Sequence, residues 1–258
     1  MGQSQQLSDL SLILLINSRD LIHLVTIEAP VEGELGKVYS TAPEVAIGSD
    51  GKTYYIKGRN SPTAFAEIAR CRLAQLAGLL APTAAVGQFA GDLYAAVESV
   101  PRANRNISPW LARREFIDNP DHLFQVVAVD TWLANDDRNM GNLVGSATSL
   151  GRIEIYMIDF EKSRSLGDHP FLASGSVDPK RFWPTAELGA LLKPIRPPRC
   201  PHSILDRIRS MAVQRIAEAI RPVAAELPFI TWHESSIDLL ERRARNIDKL
   251  VEKVGANQ

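Results

Sequence analysis

Residues 129–160 read VDTWLANDDRNMGNLVGSATSLGRIEIYMIDF, an apolar helical run, a dense polar loop and an apolar strand in close succession. Few arrangements accommodate that order. The helical run and the strand must both be buried, so the polar loop between them, residues 135–142, is held at the edge of a core. The stretch could be an ordinary surface turn. Its inventory argues for more: Asp137, then Asn142 five residues later, then Asp159 at the far end of the strand.

At 258 residues the chain can bury a sizeable core. Two lobes sharing one site fit best, residues 1–100 and residues 101–258. With 29 basic and 30 acidic residues the net charge is close to zero, so no global field draws the protein to DNA or to an anionic membrane. DNA binding is not expected. Cys71 and Cys200 lie far apart, without disulfide or zinc spacing, which points to a reducing, cytoplasmic setting with both thiols buried or unreactive. The apolar run at residues 10–16 lacks a preceding positive region and is followed by Asn17, Arg19 and Asp20, so it reads as a strand and not as a signal peptide or membrane span. Two nucleotide and hydrolase signatures fail outright. In GELGK, Val31 stands where a Walker loop needs its first glycine and Val38 where it needs Ser or Thr, and no GxSxG element is present. The five histidines have no metal-ligand spacing.

Taken in order, the first hundred residues alternate short strands with a single helix. Residues 12–16 and 21–27 form an expected hairpin, and residues 45–47 and 53–57 flank the Asp50-Gly51 turn, which leaves Lys57 at a strand end. Ser61 and Pro62 start a helix that carries Glu67 in its second turn and continues through Phe65, Ile68, Ala69, Leu73, Leu76 and Leu80. Strands at residues 84–89 and 93–98 follow. Alone, Lys57 would be a solvated strand end and Glu67 a solvated helix residue. Beyond residue 100 the pattern turns helical. Arg102, Arg105, Arg113 and Arg114 around Trp110 read as a solvated connection, with RNA contact the alternative. A helix at residues 122–134 places Asp130 on its buried face, where it should tie down the following loop through backbone amides or Arg138. Residues 163–184 face a substrate or form a plain loop. Further helices are expected at residues 185–192, 204–223 and 237–254. The class is therefore α+β.

A strand-end lysine, a glutamate on the next helix, and an aspartate and amide five apart before a strand-end aspartate are the groups that magnesium-assisted phosphoryl transfer requires. Asp137 would accept the proton of a substrate hydroxyl while the Asn142 oxygen meets a metal ion. Asp136, six residues from Asn142, fits the spacing less well. Lys57 would pair with Glu67, and Asp159 would be a second metal ligand. Residues 98–101 would be a hinge whose backbone, at Glu98 and Val100, meets an adenine.

The run AVDTWLANDDRNMGNLV followed by IYMIDF resembles the HipA-like kinases and, more distantly, the phosphoinositide kinases. GKTYYIKG and AEIARCRLAQLAGLLAP look like that family's lysine strand and following helix, and LPFITWHESSIDLLERR is similar to its C-terminal segment. The chain differs at Asn139, where relatives often carry His, and in ending the metal strand as IDF. The resemblance implies a bilobal protein-kinase-like fold, with a small antiparallel-sheet N-lobe holding one helix and a mainly helical C-lobe. It implies ATP and Mg2+ as cofactors, Lys57 on the ATP phosphates, Asp137 as the catalytic aspartate, and Asn142 and Asp159 on the metal. The expected activity is transfer of the γ-phosphoryl group to a hydroxyl acceptor, a protein Ser or Thr first. A lipid or small-molecule acceptor, or a nucleotide-binding module without turnover that acts through a partner, are the other readings.

Overall fold

The structure, a computed structural model, describes residues 21–28, 44–104, 113–135, 140–160, 202–229 and 234–255. The strand expected at residues 12–16 and the helix expected at residues 185–192 lie outside these. Five strands open the described chain: β1 (Ile22–Glu28), β2 (Glu44–Gly48), β3 (Thr53–Lys57), β4 (Ala84–Phe89) and β5 (Asp92–Glu98). They close into a barrel in the order β1-β2-β3-β5-β4. This corrects the expected purely antiparallel sheet. β1 runs parallel to β4, with Ile22 opposite Gly87 and His23 opposite Gln88, while the other pairs are antiparallel. The reason is parity: strands alternating in direction around a ring of five must leave one neighbouring pair parallel. A Cβ at Gly87 would stand 3.0 Å from the Ala96 Cβ and 3.1 Å from Leu24 Cδ1, so glycine permits the close approach at this seam. Leu24, Ala46, Tyr54, Ile56, Tyr94 and Ala96 fill the interior. At the β2–β3 turn the Tyr54 hydroxyl donates to Asp50 at 2.7 Å and holds that carboxyl below its usual range.

One helix covers the outside of the barrel. α1 (Pro62–Leu76) begins where the sequence predicts, with the Ser61 side chain accepting from the Thr63 amide and Pro62 in the first turn. Such a cap contributes about 1 kcal/mol relative to alanine. The helix stops four residues before Leu80. Gly78 adopts φ +88°, and the Leu79 amide turns back to Ala74 O at 3.0 Å, which closes the last turn. α1 is buried on almost every side, with Glu67 and Arg70 fully enclosed.

The second half joins a three-stranded sheet to a set of helices. β6 (Ala103–Asn104), β7 (Leu143–Ala147) and β8 (Ile153–Met157) lie in that order. Around them stand α2 (His122–Leu133), α3 (His202–Arg209), α4 (Val213–Glu226), α5 (Ser235–Arg245) and α6 (Ile247–Gly255). The helices expected at residues 204–223 and 237–254 are each divided in two, at residues 210–212 and at Asn246. The first of these divides where the partners change: α3 and α4 both touch α5, but α3 also packs on α2 and α6 and α4 on α1. One straight rod could not reach both sets. A single apolar cluster runs from Val86, Ala95 and Val97 on the barrel through α1 to Trp132, Ile220 and Leu240. Residues on both sides of the expected boundary at residue 100 thus share one core. Among the described residues, no helix is long and apolar enough to cross a membrane.

Candidate functional site

Lys57 closes β3, and the strand's two-residue period determines where it points. Tyr54 and Ile56 face the barrel interior, so Tyr55 and Lys57 face outward, toward α1. The chain reverses at once. Gly58 takes φ +65°, and a Cβ there would lie 2.5 Å from the Ala64 amide nitrogen, so no side chain fits between strand end and helix. Asn60, at φ +44°, exchanges hydrogen bonds with the Leu93 backbone, its amide donating at 2.8 Å and its Oδ1 accepting at 2.9 Å. This turn brings Glu67 back beside the strand. Lys57 Nζ lies 3.7 Å from Glu67 Oε1, with the two side chains 14% and 0% exposed.

Asp159 reaches the same place from the other half of the chain. Leu143 and Met157 are the last pair of the β7–β8 ladder at this end, and just beyond them the Ile158 amide donates to Asn142 O at 3.0 Å. Asn142 and Asp159 therefore leave the sheet from one end. The strand stops at Met157, two residues short of the expected Asp159, because Asp159 itself adopts φ +60°. Its Oδ1 accepts from Lys57 Nζ at 2.9 Å. A left-handed non-glycine residue costs about 1–2 kcal/mol, and the next residue shows what maintains it. The Phe160 amide donates to Glu67 Oε2 at 2.6 Å, Arg70 Nη1 donates to Phe160 O at 3.1 Å, and the Phe160 ring is fully buried. Two charged side chains one turn apart on α1 thus grip both backbone polar groups of one residue, Phe160. Glu67 consequently does two things, facing Lys57 with one oxygen and fastening the Asp159 turn with the other.

The polar loop begins at the end of α2. Ala134 takes φ +55°, and the Asn135 side chain donates to Asp130 Oδ1 at 2.7 Å while its amide donates to Asp130 O at 2.9 Å. Asp130 thus holds the start of the loop, with Asn135 as its partner. Arg138 lies outside the described residues. So do Asp136 and Asp137, and their placement beside Asn142 rests on spacing alone. Asn142 is 4% exposed. At the expected hinge, the Glu98 side chain pairs with Lys52 at 3.0 Å, the Glu98 and Ser99 amides donate to Thr83 O and Thr53 O, and Val100 is buried. Arg113 lies over the Phe116 ring at 4.7 Å, and the Trp110 segment is outside the described residues.

Sequence reasoning passed over Arg70 and Arg243. Both are enclosed arginines, Arg70 one turn from the equally buried Glu67 and Arg243 beside the apolar Leu239, Leu240 and Ile247. A cation at such a position is costly unless partnered, and that was the available signal.

Chemically, the site offers one ammonium between two carboxylates, with an amide oxygen at the same sheet end. Asp159 and Asn142 carry hard oxygen donors of the kind magnesium takes. Among the described residues no three or more His, Cys, Asp or Glu side chains gather into a protein-only cage, and magnesium usually relies on one or two carboxylates together with substrate phosphates.

No family model matches the chain, and no curated protein does. It is similar in structure to a crystal structure of a Helicobacter pylori proinflammatory kinase, CtkA, with a TM-score of 0.50 and 14% sequence identity, over 84% of this chain and 95% of that one. At that identity the likeness concerns the fold alone. The chain has a kinase-like α+β fold.

Proposed function

We propose that the protein is an ATP- and Mg2+-dependent kinase that transfers the γ-phosphoryl group of ATP to a hydroxyl, with a protein Ser or Thr as the first acceptor class. One observation carries this reading: the carboxylates of Glu67 and Asp159, each from a different segment, lie 3.7 and 2.9 Å from the Lys57 ammonium. The kinase-like fold supports it, as does the order of these residues along the chain.

In this reading the barrel with α1 and the mainly helical part act as two lobes around a shared site. Lys57, oriented by Glu67, binds the ATP phosphates, and the backbone at Glu98 and Val100 meets the adenine. Asn142 and Asp159 would hold Mg2+, which when bound neutralises charge on the phosphates. Asp137 accepts the proton of the acceptor hydroxyl as its oxygen bonds to the γ-phosphorus and the bond to the β-phosphate oxygen breaks, leaving ADP. Arg70 and Glu67 keep Asp159 facing the phosphates by holding Phe160. A reducing, cytoplasmic setting belongs to the same reading.

The test is direct. Purified protein is incubated with ATP and Mg2+, with and without a mixed Ser/Thr peptide library, and followed by intact mass and by ADP release. Wild type should gain or transfer phosphoryl groups and release ADP, and Asp137→Ala should do neither. Wild type that binds ATP yet releases no ADP would sink the enzyme reading and leave a nucleotide-binding module.

A further inference from the structure

Strand β8, which leads to Asp159, pairs with β7 along one edge. The groups that close its other edge come from a turn, a side chain and a linker. The Asp118 amide donates to Ile153 O at 2.8 Å, the Asn119 side chain accepts from the Ile155 amide at 2.8 Å and donates to Ile155 O at 2.9 Å, and the Met157 amide donates to Leu80 O at 2.9 Å. The spacing of two is that of a strand whose alternate residues turn their backbone groups to the same side. Asp118 and Asn119 belong to the segment that leads into α2. Leu80 comes from the first half of the chain, in the linker between α1 and β4.

That linker is itself fastened to α1. Gln75, in the last turn of the helix, donates through Nε2 to Ala81 O at 3.0 Å and to Pro82 O at 3.2 Å, and the Leu79 amide turns back to Ala74 O at 3.0 Å. Leu79 and Ala81 are both buried. With the Leu79 amide fixed on one side and two successive carbonyls turned to one carboxamide on the other, the peptide unit that carries Leu80 O has little freedom to rotate.

Met157 stands two residues before Asp159, and Phe160 follows it directly. The Phe160 amide and carbonyl are held by Glu67 and Arg70. Helix α1 thus reaches the turn of residues 158–159 from both ends, after it by two charged side chains and before it through the linker that Gln75 holds. Edge closure alone would not need this. Asp159 is left-handed, at φ +60°, and a residue in that region keeps its conformation only where the surroundings over-determine it.

We propose that Gln75 is a positioning residue for Asp159, acting through the α1–β4 linker and the Met157 amide, so that α1 and the Asp159 turn move as one body. Its effect on metal use and turnover rests on the kinase reading; its effect on the turn does not.

Gln75→Met keeps the length and removes the donor, and Gln75→Lys keeps a donor for the same carbonyls. Peptide-resolved hydrogen exchange, melting temperature and steady-state kinetics are measured on the full chain for wild type and both variants. Peptides covering residues 155–160 should exchange at least about tenfold faster in Gln75→Met, with Gln75→Lys between it and wild type and with α5 and α6 unchanged. The Mg2+ concentration for half-maximal turnover should rise about tenfold in Gln75→Met, as it does when support behind a metal ligand is lost. The KM for ATP at saturating Mg2+ should stay within about twofold, because Lys57 is untouched. Exchange at residues 155–160 equal to wild type overturns the proposal. So does acceleration spread evenly over the chain with a lowered melting temperature, which would make Gln75 a packing residue only, and so does an unchanged Mg2+ requirement in an active enzyme. If Gln75→Met fails to fold, exchange of wild type in low urea decides: the Leu79 and Met157 amides should open together, with one dependence on urea, and separate openings overturn the proposal. Wild type without turnover would end the kinase reading, and the exchange measurement would still decide for Gln75.

Discussion

Asp159 bears most of the demands made on any single residue here. It must sit at φ +60°, accept from Lys57 at 2.9 Å and, in the proposed reaction, keep an oxygen for metal. Aspartate and asparagine tolerate the left-handed region better than alanine does. Two substitutions therefore separate the backbone demand from the chemical one. Asp159→Asn should lower phosphoryl transfer at least about hundredfold by removing a charged metal ligand. Asp159→Ala should lose as much activity and in addition be less stable than Asp159→Asn by about 1 kcal/mol in urea denaturation. Equal stabilities would show that the left-handed conformation is not a constraint on this residue. The wider lesson concerns Glu67, whose two oxygens serve different partners. Replacing it would disturb the lysine and the aspartate together, so it cannot report on either alone.

At the scale of elements, the site depends on how closely α1 follows β3. Gly58 is the joint, with φ +65° and no room for a Cβ beside the Ala64 amide. Gly58→Ala should lower stability by about 1–3 kcal/mol and displace the start of α1. Because Glu67 moves with the helix, the same variant should lose ATP-dependent thermal stabilisation, whereas Gly91→Ala, in a hairpin turn with open space around it, should lose stability through its positive φ while retaining the response to ATP. Comparing thermal shifts of the two variants with and without Mg2+ and ATP checks this. A normal ATP response in Gly58→Ala would uncouple the joint from the site. The helices of the second half show the converse relation. α3 and α4 occupy one periodic stretch of sequence and divide where their packing partners change.

For the molecule as a whole, the continuous cluster from barrel to helices predicts cooperative behaviour. Val86 and Val97 belong to the same apolar core as Trp132 and Leu240, so the barrel should not melt ahead of the helices. Calorimetry should show one transition, raised by Mg2+ and ATP together by the equivalent of about 2.7 kcal/mol when ligand is a hundredfold above its dissociation constant. Lys57→Met should keep the single transition and lose the shift. Two separated transitions would mean that the halves fold independently and meet only at the site.

The amino-acid sequence by itself determined the elements and their chemistry, since strand alternation, the Ser61-Pro62 helix start and the Asp50-Gly51 turn are local effects that neighbouring residues decide. It also placed Lys57, Glu67, Asn142 and Asp159 on their segments. Only the tertiary structure decided that five strands close into a ring with one parallel seam, that two long helical stretches break, and that Arg70 holds the Phe160 carbonyl and Arg243 the last carbonyls of α2. These are long-range matters. Ring closure depends on strand count and curvature, a helix break on which partners lie alongside, and a buried arginine on backbone carbonyls roughly a hundred residues away, none of which leaves a periodic trace near the residue itself.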